Sequence, residues 1–447
     1  MTKLLLIRMS LIIPKRAAFT FLIANLLFLG AVQGQAKIWD RGGGNNNWSD
    51  AANWNPDGLP TAMDDVIIPD NFTVNVNIPG VCKSLLLQSG PNNTILSIDN
   101  GQSLTVSGGI VLEAPTANNR RKRINVNTAT LSCASITMAA TGNGNRDCDV
   151  RITTGTVTVS GDITMNGASN ENAMRFSNSG TGTLNIGGSM AGGNFIHTNS
   201  STVNYNGAGP QSVKGDTYGN LTFSGGGSKT LAGTTTVNRV CTFNLGIVNS
   251  TAANTLIFGN NGSVSGGSNN SHVNGPVRRN SNSIFTFPTG NAGKYAPITI
   301  SASSSDFTAQ YFNMAPTQGS GTGIDHVSST EYWQLTRNNG GNQVTVTLSW
   351  NSAERSGLVT DLTALRVARY LSGTSYADMG GFGVGTTAAG TITSTATSPN
   401  NNTTWLYTLG SSLALPTNPL PIELTSFSGR QEAQYISLRW STATEQN

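Results

Sequence analysis

Four short segments in the middle of the chain recur at a nearly fixed interval, and that interval constrains the fold more than any other feature. They are Ser103–Ile110, Thr130–Ile136, Thr156–Ile163 and Thr183–Met190. Their first apolar residues, Leu104, Leu131, Val157 and Leu184, lie 27, 26 and 27 residues apart. Looser copies follow at Val203-Asn-Tyr205 and Leu221-Thr-Phe223. A period of about 20–50 residues marks a solenoid or an array. Each unit reads apolar–polar–apolar, then a Gly or Ser bend, then apolar again; the second copy is one residue short. Alternation of period two makes a short strand with one buried face, and Gly lets the chain bend without a Cβ penalty. No helical pattern separates the strands, which argues against βαβ units. The expected fold is all-β: a right-handed parallel β-helix over residues 66–275, its inward apolar residues forming one column. At about 20 residues and ~4.8 Å per rung, this is a rod of roughly ten rungs, on the order of 50 Å long. A tandem β-sandwich array is the alternative. It would need tight hairpins, for which Asn100-Gly101, Asn166-Gly167 and Asn206-Gly207 are candidates.

Composition narrows the class. Only 11% of the 447 residues are charged, Glu occurs 7 times, and Gly and Asn together exceed a fifth of the chain. Such a chain suits neither helices nor an α/β enzyme. Its uncharged polarity and recurrent Val, Ile and Leu also argue against disorder. The formal net charge of +4 arises at the N-terminus: Lys3, Arg8, Lys15 and Arg16 precede the first acid, Asp40. Beyond residue 34 the chain carries 22 basic and 22 acidic residues. A nucleic-acid partner is therefore not expected, since it would require a basic excess.

Residues 1–34 read as a secretory signal peptide. A basic stretch precedes the apolar run 17–29, and Val32 and Gly34 are small enough for cleavage after Gly34, with Ala36 as the alternative. The run is shorter than the ~20 residues needed to span a bilayer, so no transmembrane segment is expected in the mature chain. Residues 35–65 read as an N-terminal cap. Trp39, Trp48 and Trp54 within it either cover the open end of the first rung or form an aromatic platform for glycans. Cys82, Cys133, Cys148 and Cys241 are spaced irregularly; Cys133 falls in an apolar repeat slot and Cys241 alternates with Phe243. They read as core residues, with a Cys133–Cys148 bridge as the alternative.

Periodicity changes near Gly275-Pro276. Residues 276–415 carry longer, more aromatic strands, among them Val344–Trp350 and Trp405–Leu409, as in a β-sandwich. After the linker Pro416–Pro421 come two further strands, Ile422–Phe427 and Tyr435–Trp440, with Ile436, Leu438 and Trp440 in half-buried alternation. Two strands do not make a stable module, so residues 416–447 read as the linker and first strands of a truncated Ig- or fibronectin-like module.

Leu420-Pro-Ile-Glu-Leu-Thr-Ser-Phe427 and Leu438-Arg-Trp-Ser-Thr-Ala-Thr-Glu445 resemble a recurrent element of proteins exported by type IX secretion in gliding and related Gram-negative bacteria. The Trp48–Trp54 stretch with Pro60 and Asp64-Asp65, and Tyr218–Phe223, look like segments of the same surface proteins. The resemblance implies an exported, adhesin-like surface molecule, with extracellular glycans or host and neighbouring cell surfaces as partners. The sorting domain of that family is not in this sequence.

Chemistry-bearing motifs are sparse. His197, His272 and His326 are far apart in polar segments and read as solvated; none sits in a metal-binding spacing. No nucleophile elbow or phosphate-binding loop appears. No catalytic, metal or cofactor residue is assigned. Acids of the repeat region are Asp70, Asp99, Glu113, Asp147, Asp149, Asp162, Glu171 and Asp216. Asp147 and Asp149, beside Arg146 and Arg151, are the best cluster for Ca²⁺ or acid–base work; charged turn residues are the alternative. The run Arg120-Arg-Lys-Arg123 reads as a solvated loop or a grip for an anionic glycan. The expected role is a non-catalytic, secreted cell-surface structural or adhesin-like protein. The competing role is a carbohydrate-active enzyme, a polysaccharide lyase or glycosidase, or a glycan-binding module, which would need acids and a basic residue on one face.

Overall fold

The computed structural model describes residues 34–168, 171–177, 180–280, 282–398, 403–419, 424–431 and 436–442. The expected signal peptide lies outside the described residues, apart from Gly34, as do residues 420–423 and 443–447 of the tail motifs.

The repeat segments stack as parallel strands in the register that their spacing requires. Leu104 pairs with Leu131, Leu131 with Val157, Val157 with Leu184, Leu184 with Val203, Val203 with Leu221, and Leu221 with Cys241. Every member of this column is buried. A second column two residues on runs Val106, Cys133, Val159, Ile186, Tyr205, Phe223 and Phe243. Its last three rings lie 6.5 and 5.7 Å apart. The missing residue of the second repeat is absorbed by a register shift between Cys133 and Ser135, after which Ile136 pairs again with Ile110. The rod has about eight turns, fewer than a 20-residue average gives, because the rungs between 104 and 184 each take 26 or 27 residues.

The bends need Gly because neighbouring rungs approach closely there. A Cβ on Gly187 would lie 2.2 Å from the Ser160 carbonyl oxygen, and one on Gly161 would lie 2.8 Å from that of Ala134. Rung spacing, not local dihedral preference, sets the residue type at these two positions.

Three further parallel ladders complete the rod. One joins Thr73–Val76, Thr94–Ile98, Arg120–Asn127, Arg146–Ile152, Asn172–Phe176 and Asn194–Ile196. From residue 211 it gives way to two others, one beginning at Gln211–Val213 and one at Thr217–Tyr218. The second of these does not stop with the rod. Val277–Asn280 pairs in parallel with Leu256–Phe258 and antiparallel with Asp306–Phe312. Thr289–Asn291 and Lys294–Tyr295 extend the ladder that begins at Gln211–Val213; the other strands up to Thr404–Ser411 form two antiparallel sheets, the pairing that a sandwich requires. The apolar cores of both parts form one cluster.

At the N-terminus Trp39, Trp48 and Trp54 are buried and meet edge to face, with ring centroids 5.0 and 4.6 Å apart. Trp54 Nε1 donates to the Trp48 carbonyl at 3.0 Å. Buried rings cannot stack on a sugar, so the platform reading gives way to the cap. All four cysteines are buried and free, and burial pushes the thiols of Cys82, Cys133 and Cys148 up to about 12. The tail departs from expectation. Leu424–Gln431 and Ile436–Thr442 form a two-stranded antiparallel sheet, but Ile436 and Leu438 are exposed (68% and 51%). Two strands alone enclose nothing.

Two predictions test the stacking. Leu131→Ala removes a wedge from the column and lowers unfolding stability by about 2–5 kcal/mol, whereas Thr130→Ala on the outer face changes it by less than ~0.5 kcal/mol. Denaturant titration measures both. The second concerns Lys229, fully buried with its ammonium on two neutral oxygens, Gly207 O at 2.7 Å and Gln211 Oε1 at 2.5 Å. Burial brings its pKa down from 10.5 to about 8. Between those values the unfolded chain holds the extra proton, so stability rises with pH there. Wild type therefore gains stability on a Lys229→Met variant from pH 8 to 10.5, and their difference is constant below pH 8.

Candidate functional site

Two outer faces of the rod differ sharply in chemistry. On the long sheet the residues between the buried columns point outward. One rank reads Thr105, Ser132, Thr158, Asn185, Asn204, Thr222, Thr242 and Ser265, each paired in register with the next. A parallel rank begins Ser103, Thr130, Thr156, Thr183, Thr202 and Asn220. Side chains bond along the first rank: Asn185 Nδ2 donates to Thr158 Oγ1 at 3.3 Å, and Asn204 Nδ2 to Asn185 Oδ1 at 3.2 Å. Neither rank contains a charged residue.

The second face holds the charges that the sequence singles out. The run Arg120–Arg123 is not a loop. It opens the strand Arg120–Asn127, which pairs with Arg146–Ile152, and that strand in turn pairs with Asn172–Phe176. Asp147 and Asp149 are therefore strand residues, not turn residues. Alternation sends Lys122, Ile124, Cys148 and Val150 inward and Arg121, Arg123, Asp147, Asp149 and Arg151 outward. Asp147, Asp149 and Arg151 thus share one face.

Asp149 is the centre of this group. It is 1% exposed and stands opposite Arg123, whose Nε and Nη2 donate to its two oxygens at 2.6 and 2.8 Å. Arg151 Nε donates to Oδ2 at 2.9 Å, and Arg175 Nε lies 3.8 Å from it. With both oxygens occupied, Asp149 is held as an anchor for guanidinium groups. Ala173 stands in register with Asp149, and its short side chain leaves a hollow of about 30 Å³ bordered by Asp149, Glu171, Arg175 and Asn194. That is room for about one water-sized group.

The remaining acids of the rod are dispersed, and several clamp one rung to another. Asp70 accepts from Asn92 N (3.1 Å) and from the buried Lys122 Nζ (2.5 Å). Glu113 accepts from Ser89 N at 2.7 Å, Asp162 from Ser189 N at 2.7 Å, and Glu171 from Thr141 N and Gly142 N at 2.8 and 3.0 Å. Burial alone would raise the carboxyls of Asp70 and Glu171, but these hydrogen bonds outweigh it and hold both below their usual range.

The histidines do not converge. His326 Nε2 contacts the Asn418 carbonyl at 2.7 Å, and His197 stacks on Phe195 at 6.5 Å. His272 corrects the solvated reading. It is fully buried, with Nδ1 3.0 Å from Ser268 O, and burial lowers its pKa. Among the described residues no group of three His, Cys, Asp or Glu side chains is placed to hold a metal. No described helix is long and apolar enough to cross a membrane. Sequence reading also missed the ion pair Arg355–Glu331 among the antiparallel strands, buried with Arg355 above the rings of Tyr311 and Trp333 at 5.8 and 5.6 Å. Its partners are 24 residues apart, and nothing local announces it.

No family model, curated protein or solved structure matches this chain.

If Asp149 anchors the arginines, removing it strands buried positive charge. Asp149→Ala should lower stability by about 3–5 kcal/mol, and Asp147→Ala by about 0.5 kcal/mol or less. Thermal unfolding of the two variants side by side reads the contrast; equal losses would refute the anchoring role.

Proposed function

We propose that this chain is an exported, non-catalytic surface protein whose solenoid serves as a stiff stalk and contact surface for extracellular glycans or neighbouring cells. The observation that carries the reading is the pair of uncharged ranks on the long sheet's outer face. Eight rungs present Thr, Ser and Asn in register, an array of hydroxyl and amide groups at the ~4.8 Å strand spacing. Such a face offers hydrogen bonds without specifying charge, which suits sugar hydroxyls or the matrix of a cell surface. The leader-like residues 1–34 and the type IX-like tail motifs support export. The antiparallel region from residue 285 would form the β-sandwich that carries the stalk's distal end.

A carbohydrate-active enzyme on the same scaffold is the second reading, favoured by Asp147, Asp149 and Arg151 on one face. The occupied oxygens of Asp149 speak against it.

Incubating the purified chain with a polysaccharide panel separates the two. The expected result is retention on some polymers with no new reducing ends and no unsaturated uronates. Turnover that vanishes in Asp149→Asn would overturn the non-catalytic reading. Protease shaving of intact source cells tests exposure: the chain should be cleaved without lysis, and protection until lysis would refute a surface location.

A further inference from the structure

The arginine-bearing face contains an arrangement that stability alone would not favour. Arg151 stands directly opposite Arg175 on the outer face, and Arg120 opposite Arg146 at the strand starts, on the other parity. Like charges directly opposite on neighbouring strands repel. Around the first pair one carboxylate, Asp149, serves three guanidinium groups, and Arg123 already takes it in a two-pronged bond. Arg175 Nε is buried and has no hydrogen-bond partner, although its side chain is 32% exposed. Burial lowers the pKa of Arg175, and Arg151 and Arg123 add to that against the pull of Asp149. The outward positions of these three strands carry Arg121, Arg123, Arg151 and Arg175 against Asp147, Asp149 and the neighbouring Glu171; Arg121 and Arg123 each stand opposite an Asp, while Arg151 and Arg175 stand opposite each other. This is a local excess of positive charge in a chain that is neutral beyond residue 34.

We propose that this face is a receptor for an acidic polysaccharide, whose carboxylate or sulfate groups dock on the opposed pair Arg151 and Arg175. Guanidinium forks match planar or tetrahedral oxyanions with paired hydrogen bonds. A bound anion would supply the counter-charge that this pair lacks. Arg151 and Arg175 form the docking site on the outer face, whereas Arg146, five residues from Arg151, has the opposite parity. A polymer with many anionic groups keeps one within reach of this site, which raises avidity over any single small anion. The outward residues of these strands are Arg, Asp, Asn and Ala, with no aromatic ring to stack on a base, so the ligand is a glycan and not a nucleic acid. This inference rests on the surface-contact reading above and names the ligand class for one face.

Binding of the full chain to polygalacturonate and to heparin, with neutral dextran and single-stranded DNA as comparators, tests it by affinity electrophoresis and calorimetry. Retention by at least one of the two acidic polymers and not by dextran, weakening as salt rises, is the expected result. Which of the two binds better tells carboxylate from sulfate. Arg151→Gln/Arg175→Gln should lose affinity roughly tenfold or more with an unchanged or higher unfolding midpoint. Lys83→Gln/Arg239→Gln, which removes two charges elsewhere, should leave binding intact. No retention of either polymer at low salt overturns the proposal. So does equal loss in the Lys83/Arg239 variant, or DNA binding as tight as that of the polysaccharide. Cleavage of a polymer that still needs Arg151 and Arg175 for retention would sink the non-catalytic reading while upholding this one.

Discussion

The column from Leu104 to Cys241 sets each apolar side chain directly on the next at the rung spacing, and the backbone ladders follow its register. A slip of one residue would send every column member to solvent and every Thr and Asn inward. The short strands, many only three or four residues long, have little stability singly. They persist because each is bonded above and below and buried along one side. The same dependence explains the buried tryptophans at the N-terminal end and the shared strand Val277–Asn280 at the other. An open rung exposes unpaired N–H and C=O groups, and here one end carries the antiparallel strand Trp54–Asn55 over a buried indole cluster, while the other continues into antiparallel sheet.

Register has a second consequence, on the outside of the rod. Stacking copies every outward residue type along a line, so a face acquires the chemistry of its repeat. On the long sheet the copied residues are Thr, Ser and Asn, and amides bond rung to rung. On the other ladder the outward ranks read Arg121–Asp147, Arg123–Asp149–Ala173 and Asn125–Arg151–Arg175, and in the last of them register sets like charge against like charge. Asp149 relieves part of this by accepting from two guanidinium groups and facing a third. Identical backbone geometry thus yields one neutral and one charged surface, decided by which residues fill alternate positions.

Some of this was legible in the sequence. The 27-26-27 spacing and the alternation within each repeat are local patterns, so the column and its burial followed from them. The short second repeat was also visible, and the register shift at Cys133 and Ser135 shows where the missing residue is taken up. The Arg120–Arg123 run was harder to place, because consecutive charges look the same in a loop and in an exposed strand. What marks it as a strand is the Ile124-Asn-Val126 continuation, an alternation that the charges obscure. His272 was misread because its burial comes from rungs distant in sequence, against Gly290.

The sequence by itself determined the all-β class, the solenoid period, the residues of the apolar column and the polar character of the long sheet's outer face. These depend on short-range alternation and on a repeat length that survives in one dimension. Only the tertiary structure decided that Arg123, Asp149, Arg151 and Arg175 meet, that Lys122 reaches Asp70 across 52 residues, and that the rod shares a strand with the antiparallel sheets. Those contacts join residues on different rungs. A sequence records each residue's neighbours along the chain, whereas stacking chooses neighbours a full turn away.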